Sequence, residues 1–79
     1  MIKLFTTKEC GACKLIKDYL DVDYTEIMLS DDTRDQFAHY EVKSAPTLLF
    51  IKNGQVAWRH EGYVSQDVFN EKYQNTFAT

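Results

Sequence analysis

Two cysteines three positions apart, in the run Cys10-Gly11-Ala12-Cys13, are the residues of this chain best suited to covalent chemistry. The β-prone stretch Ile2 to Thr6 precedes them, and an amphipathic segment follows from about Gly11 to Leu20. The first cysteine therefore stands where a strand gives way to a helix. First-turn amides of a helix have no intrahelical partners, and with the macrodipole they stabilise an anion placed there. A thiolate at Cys10 gains that stabilisation, which lowers its pKa from the free value of roughly 8.5. Cys13 lies one turn inside, so its sulfur can reach back to Cys10. Gly11 and Ala12 are small and leave the first sulfur accessible. A disulfide closing so short a loop adds only about 2 kcal/mol, against about 3 for fifteen residues. Such a bond suits exchange better than stapling. Three readings stand: a redox dithiol, favoured by two cysteines beside a βαβ pattern; half of a zinc site completed by His39 or His60, whose spacing is unlike that of paired ligands; and inert buried thiols.

The remaining elements must position this pair. Ala12, Leu15, Ile16, Tyr19 and Leu20 recur with helical period and predict one inward face. Tyr24 to Leu29 reads as a second strand. Ser30, Asp31 and Asp32 supply N-cap chemistry and negative charge for a helix running to Tyr40 or Glu41, with Phe37 and Ala38 inward. Thr47 to Ile51 is an almost continuous apolar run, as a strand covered on both faces shows. Asn53-Gly54 between two β-prone runs signals a hairpin. Its returning strand, Gln55 to His60, would place Val56, Trp58 and His60 on one face. Ser65 caps a last helix in which Phe69, Tyr73 and Phe77 recur every four residues. The order is β-α-β-α-β-β-α, an α/β fold. Strands joined through helices are expected to pair in parallel, with the hairpin adding an antiparallel strand. This gives a four-stranded mixed sheet with helices packed on its faces.

Seventy-nine residues with no Pro/Gly/Ser-rich linker fit one domain, 1–79. A core that small must be thin. The net charge of −3 and the absence of a basic patch argue against nucleic acid as a partner. The longest uncharged apolar run, Ala45 to Ile51, is too short to span a bilayer, so no membrane partner is expected. No signal peptide is visible, and two cysteines are too few for a secreted disulfide scaffold, so a cytoplasmic location is expected. No metal and no cofactor beyond the Cys10–Cys13 dithiol is expected.

Other candidates weaken on inspection. Pro46, in Ser44-Ala45-Pro46-Thr47, reads from the residues alone as a strand-opening proline in the common trans form. Lys8 and Lys14 favour a Cys10 thiolate and Glu9 opposes them. His39 and His60 have no evident role as a base. Trp58 reads as core in preference to a substrate platform.

Taken together, Cys10-Gly11-Ala12-Cys13-Lys14 after a strand, Ala45-Pro46-Thr47-Leu48-Leu49, Lys52-Asn53-Gly54-Gln55-Val56 and the later Gly62 resemble the thioredoxin/glutaredoxin superfamily over essentially the whole chain. The stretch from Pro46 to Gly62 is similar to thioredoxin. The N-terminal half, which starts directly at the strand before the cysteines, is similar to glutaredoxin. The resemblance implies a thioredoxin-like fold, Cys10 as nucleophile, Cys13 as resolving thiol and a cis Ala45–Pro46 bond. It implies a substrate groove made by Gly11, Ala12, Ala45, Pro46 and Gly62. Departures are Glu9 where thioredoxins carry Trp, Ala12 where they carry Pro, and Leu4 in place of their buried aspartate. No carboxylate is therefore expected to accept a proton from Cys13. The Gly-Gly-x-Asp run of glutaredoxins is replaced by Glu61-Gly62-Tyr63-Val64.

The expected function is a monomeric electron carrier that reduces protein disulfides and is recharged by a thioredoxin-reductase-type flavoenzyme. Alternatives are a glutathione-dependent glutaredoxin, a reductant of ribonucleotide reductase, suggested by size, or a non-catalytic binding module that has kept the fold.

Overall fold

The structure, a computed structural model, describes residues 1–78. Its elements are β1 (Ile2–Thr6), α1 (Gly11–Tyr19), β2 (Thr25–Met28), α2 (Arg34–His39), β3 (Thr47–Lys52), β4 (Gln55–Glu61) and α3 (Gln66–Phe77). The four strands form one mixed sheet in the order β2-β1-β3-β4. β1 pairs with β2 in parallel, as expected of two strands joined through a helix.

β3, however, runs antiparallel to β1, with Leu4 opposite Leu48 and Phe5 opposite Thr47. The expected parallel crossover through the second helix does not form. The reason is length. α2 has six residues, a rise of about 9 Å, whereas a six-residue strand spans about 20 Å. A helix so short does not return the chain along the sheet, and β3 starts at the end where β2 stopped. α2 is also shorter than the sequence suggested. Thr33 folds back instead of capping: its hydroxyl donates to the Met28 carbonyl at 2.6 Å and accepts from the Ser30 amide at 2.9 Å. Residues 31–33 are thereby a turn, and the Ser-Asp-Asp run precedes the helix without capping it.

Alternation along the central strands divides the core into two layers. Ile2, Leu4, Leu48 and Phe50 point to the face covered by α1 and α3, where they meet Ile16, Val64 and Phe69. Phe5, Leu49 and Ile51 point to the other face and meet Ile27, Phe37 and Val42. The Asn53-Gly54 turn closes the β3–β4 hairpin with both residues at positive φ, 55° and 78°, as a type I′ turn requires.

Three side chains depart from the expected faces. Val56 pairs with Ile51 whereas Trp58 pairs with Phe50, because a bulge inserts Ala57 between them. Val56 thus lies on the opposite face from Trp58 and His60, and it is exposed. Ala38 is exposed beside the buried Phe37. Leu15, expected inward, is 57% exposed. No helix among the described residues is long and apolar enough to cross a membrane.

Candidate active site

The two cysteines are joined by a disulfide, with their Cα atoms 5.2 Å apart. Cys10 is the N-cap of α1, in extended conformation, and Cys13 lies within the first turn. The sulfur of Cys10 accepts the backbone N–H of Cys13 at 3.2 Å. It thus occupies the side-chain acceptor position that Ser or Asp fills at other helix starts. An amide aimed at that sulfur favours its anion once the disulfide opens. Cys13 is 2% exposed, while Cys10 is only half-buried. The pair is therefore asymmetric, with one sulfur at the rim and one against the core. Glu9, just before the cap, has φ of 62°. This left-handed residue turns the chain from β1 into α1, and nothing in its residue type announces it.

The sheet brings the other expected site residues to the same end. Thr47, the first residue of β3, pairs with Phe5 of β1 on one side and with Glu61 of β4 on the other. Pro46, Gly62 and the loop leading to Cys10 consequently leave the sheet together. The Ala45–Pro46 bond is cis, in agreement with the resemblance and against the trans reading of the residues alone. Pro46 is buried, and its carbonyl accepts the Gly62 N–H at 2.7 Å. Gly62 has φ of 89°, a conformation in which glycine carries no Cβ penalty. Gly11 is exposed, and Ala12 and Ala45 are half-buried.

Leu4 is fully buried, so the sheet presents no carboxylate at that point. The register sets Glu26 of β2 beside Leu4. Its carboxylate accepts from the buried Thr6 hydroxyl at 2.8 Å and from Lys17 at 3.2 Å, which ties α1 to the sheet's edge strand. His39 and His60 stand apart from one another. His39 packs on the Tyr40 ring, while His60 stacks on Trp58 and donates from Nε2 to the Tyr63 carbonyl at 3.0 Å.

Tyr19 was legible only as a helix-face residue, yet it reaches across to the loop after β4. Its hydroxyl donates to the Val64 carbonyl at 2.6 Å. Burial, with a smaller contribution from Tyr63, pushes its pKa up from 10.0 to about 12. No pattern in the sequence signals this contact, because both partners are fixed only by the docking of α1 on the sheet.

No family model matches the chain. Among curated proteins it is similar to thioredoxin of Gallus gallus, with 36% identity over 66 residues, 73% of this chain and 62% of that protein. Thioredoxin of Haemophilus influenzae is 44% identical over 55 residues, 60% of this chain and 51% of that protein. The chain thus spans between half and two thirds of the length of these relatives. Among solved structures, a thioredoxin from Nicotiana alata superposes with a TM-score of 0.74 at 26% identity, over 94% of this chain and 70% of that one. Thioredoxin 1 from Thermosipho africanus gives 0.72 at 21% identity and covers 99% of this chain and 98% of that one. The four-stranded mixed sheet with a cysteine pair at the start of α1 is the thioredoxin-like fold of these structures, and the sequence is similar to that of thioredoxins.

Proposed function

We propose that this protein is a dithiol–disulfide oxidoreductase that reduces protein disulfides through Cys10 and Cys13. The observation that carries this reading is the asymmetry of the pair: a partly buried cysteine whose sulfur accepts a helix-start amide, bonded to a fully buried one. In the reduced protein the Cys10 thiolate attacks a substrate disulfide. A Cys10–substrate disulfide forms, and one substrate sulfur leaves as thiolate and takes up a proton. Cys13 loses its proton and attacks the Cys10 sulfur. The second substrate sulfur leaves, and the Cys10–Cys13 disulfide closes. Two electrons pass to the substrate, and the dithiol becomes a disulfide. Gly11 and Ala12 keep the approach to Cys10 open, and Ala45, Pro46 and Gly62 form the wall along which an extended substrate segment lies.

The oxidised pair is recharged by a thioredoxin-reductase-type flavoenzyme, with ribonucleotide reductase among the candidate disulfide partners. Support for the flavoenzyme over glutathione comes from Glu61-Gly62-Tyr63-Val64, which stands where glutaredoxins carry a glutathione-binding run. Disulfide reduction measured with NADPH and thioredoxin reductase, with glutathione and glutathione reductase, or with neither, tests the donor. Turnover with the flavoenzyme is expected, and equal turnover with glutathione would overturn that assignment. Trapping tests the roles. Cys13→Ser should accumulate a mixed disulfide with substrate, whereas Cys10→Ser should neither reduce nor trap. Equal trapping by both variants would show the roles to be wrong.

A further inference from the structure

A groove of about 500 Å³ opens at the end of the sheet opposite the cysteines, a volume in the range of small-molecule sites. The start of β1, the connection from α1 to β2 and the last turns of α3 enclose it. Ile2 borders the groove, and Thr6, which leads towards Cys10, lies four strand steps away, roughly 13 Å. The dithiol chemistry described above uses no residue of this groove.

Its wall and its rim differ in kind. Val22, Tyr73 and Phe77 are half-buried and pack against the core layer of Leu4 and Phe50, and Ile2 among them is buried. The Tyr73 and Phe77 rings, one helical turn apart, have centroids separated by 5.3 Å. Asp21 and Asp23 flank Val22 in the chain and are exposed. The ion pairs among the described residues, Lys17–Glu26, Arg34–Asp31 and Arg59–Glu61, leave both of them unpaired. Met1 also lines the groove, and its α-ammonium is held by the Ile51 carbonyl at 2.9 Å. Two carboxylates against one ammonium leave the lining net negative. α3 ends here at Phe77 with no basic residue in its last turn, and the carbonyl end of a helix carries partial negative charge. Lys52 from β3 meets one of those last carbonyls, that of Thr76, at 2.8 Å.

We propose that this groove binds an organic cation of the alkylammonium class, with its charged head at Asp21 and Asp23 and its apolar stem along Val22, Tyr73 and Phe77. Charge complementarity selects the head, since the rim repels an anion and a neutral group leaves both carboxylates without a counterion. The apolar wall selects the stem, and aromatic faces attract a cation as well as an alkyl chain. The site is separate from the redox chemistry and stands or falls without it.

The test follows backbone amide shifts of the full oxidised chain by NMR during titration with n-hexylammonium chloride, with hexanol and with sodium hexanoate. n-Hexylammonium should shift the amides of residues 21–23 and of Tyr73 and Phe77, and should bind roughly fivefold more tightly than hexanol. Hexanoate should bind more weakly than hexanol. Raising the ionic strength should weaken the ammonium and leave hexanol unaffected. The doubly substituted Asp21→Asn, Asp23→Asn protein, its fold checked by circular dichroism melting, should bind n-hexylammonium no better than hexanol. If that variant does not fold, the salt series on the wild-type chain decides. Equal binding of the three compounds, an ammonium affinity indifferent to salt, or shifts centred away from the groove would overturn the proposal.

Discussion

The two faces of the sheet are built to different standards. On the face that carries the cysteines, the Phe50 ring is ringed by Trp58 at 4.7 Å, Phe77 at 5.2 Å, Phe69 at 5.5 Å and Tyr73 at 6.3 Å. α1 and α3 both lie on it. On the other face, a single six-residue helix covers Phe5, which meets Phe37 at 5.0 Å and Tyr40 at 5.8 Å. That thinner layer is closed with polar clips. Arg59 donates to the carbonyls of Tyr40 at 2.5 Å and Glu41 at 2.9 Å, and Lys3 lies 4.9 Å from the centre of the Tyr40 ring. The difference shows where a short chain concentrates its apolar burial. The helix whose start carries the cysteine pair is seated on the thicker layer, and the layer remote from it is secured by hydrogen bonds at the margin.

The most severe way to break this arrangement is to place a charge in the thick layer. Leu4→Asp should cost about 2–5 kcal/mol with the carboxyl neutral, from lost packing. Burial raises the folded-state pKa above the unfolded value of roughly 3.9. The neutral form's contribution is therefore whole below that unfolded value and is lost as pH rises through the folded one. Urea titrations should show the variant weakening from pH 4 to pH 7, and a pH-independent deficit would refute the account. The same protein sharpens the titration of the dithiol. Wild type should show no carboxyl coupled to Cys13 by NMR, whereas the variant should show one.

Next in size is a direct comparison of the layers. Phe50→Ala should fall near the upper end of the roughly 3–5 kcal/mol that truncating a buried Phe costs, and Phe37→Ala near the lower end. Equal losses in urea midpoints would mean that the layers do not differ. A smaller effect, about 1–2 kcal/mol, is expected for Arg59→Ala, which removes the clips from the thin layer. Hydrogen exchange should accelerate in α2 and not in α1. Acceleration in α1 would show that the two layers are not independent.

The smallest effect concerns the strut between α1 and the loop after β4. Tyr19→Phe should cost about 1 kcal/mol at neutral pH. Burial holds the hydroxyl neutral up to about 12. The stability it lends is therefore whole below about 10 and lost as pH climbs through about 12. Alkaline melting curves should fall more steeply for wild type than for Tyr19→Phe, and coincident curves would contradict this.

Where periodicity or turn chemistry is unambiguous, the sequence was sufficient. The Asn53-Gly54 hairpin, the helix beginning after Cys10 and the Ser65 cap, whose hydroxyl accepts from Val68 at 3.3 Å, all stand as the residues implied. The cysteine asymmetry followed from the same helix start. Other features depend on relations that no local pattern carries. The direction of β3 depends on how far a six-residue helix can carry the chain. The bulge at Ala57 moves Val56 to the other face without altering the alternation of residue types. Leu15 differs from its buried neighbour Ile16 only in angle around the helix, and the position of α1 on the sheet decides which of them is covered.

The central position of β1 bears on how the chain is made. β1 is synthesised first, yet its partner on one side is β3, with Ile2 opposite Phe50 and Leu4 opposite Leu48. Until that distant segment has left the ribosome, β1 and β2 have an unpaired, strongly apolar edge of the kind on which strands from other chains add. During that interval Cys13 also lacks the core that shields it in the finished protein. A nascent chain arrested before residue 47 should therefore be both sticky and readily alkylated at both thiols, and release of β3 should suppress the two liabilities together.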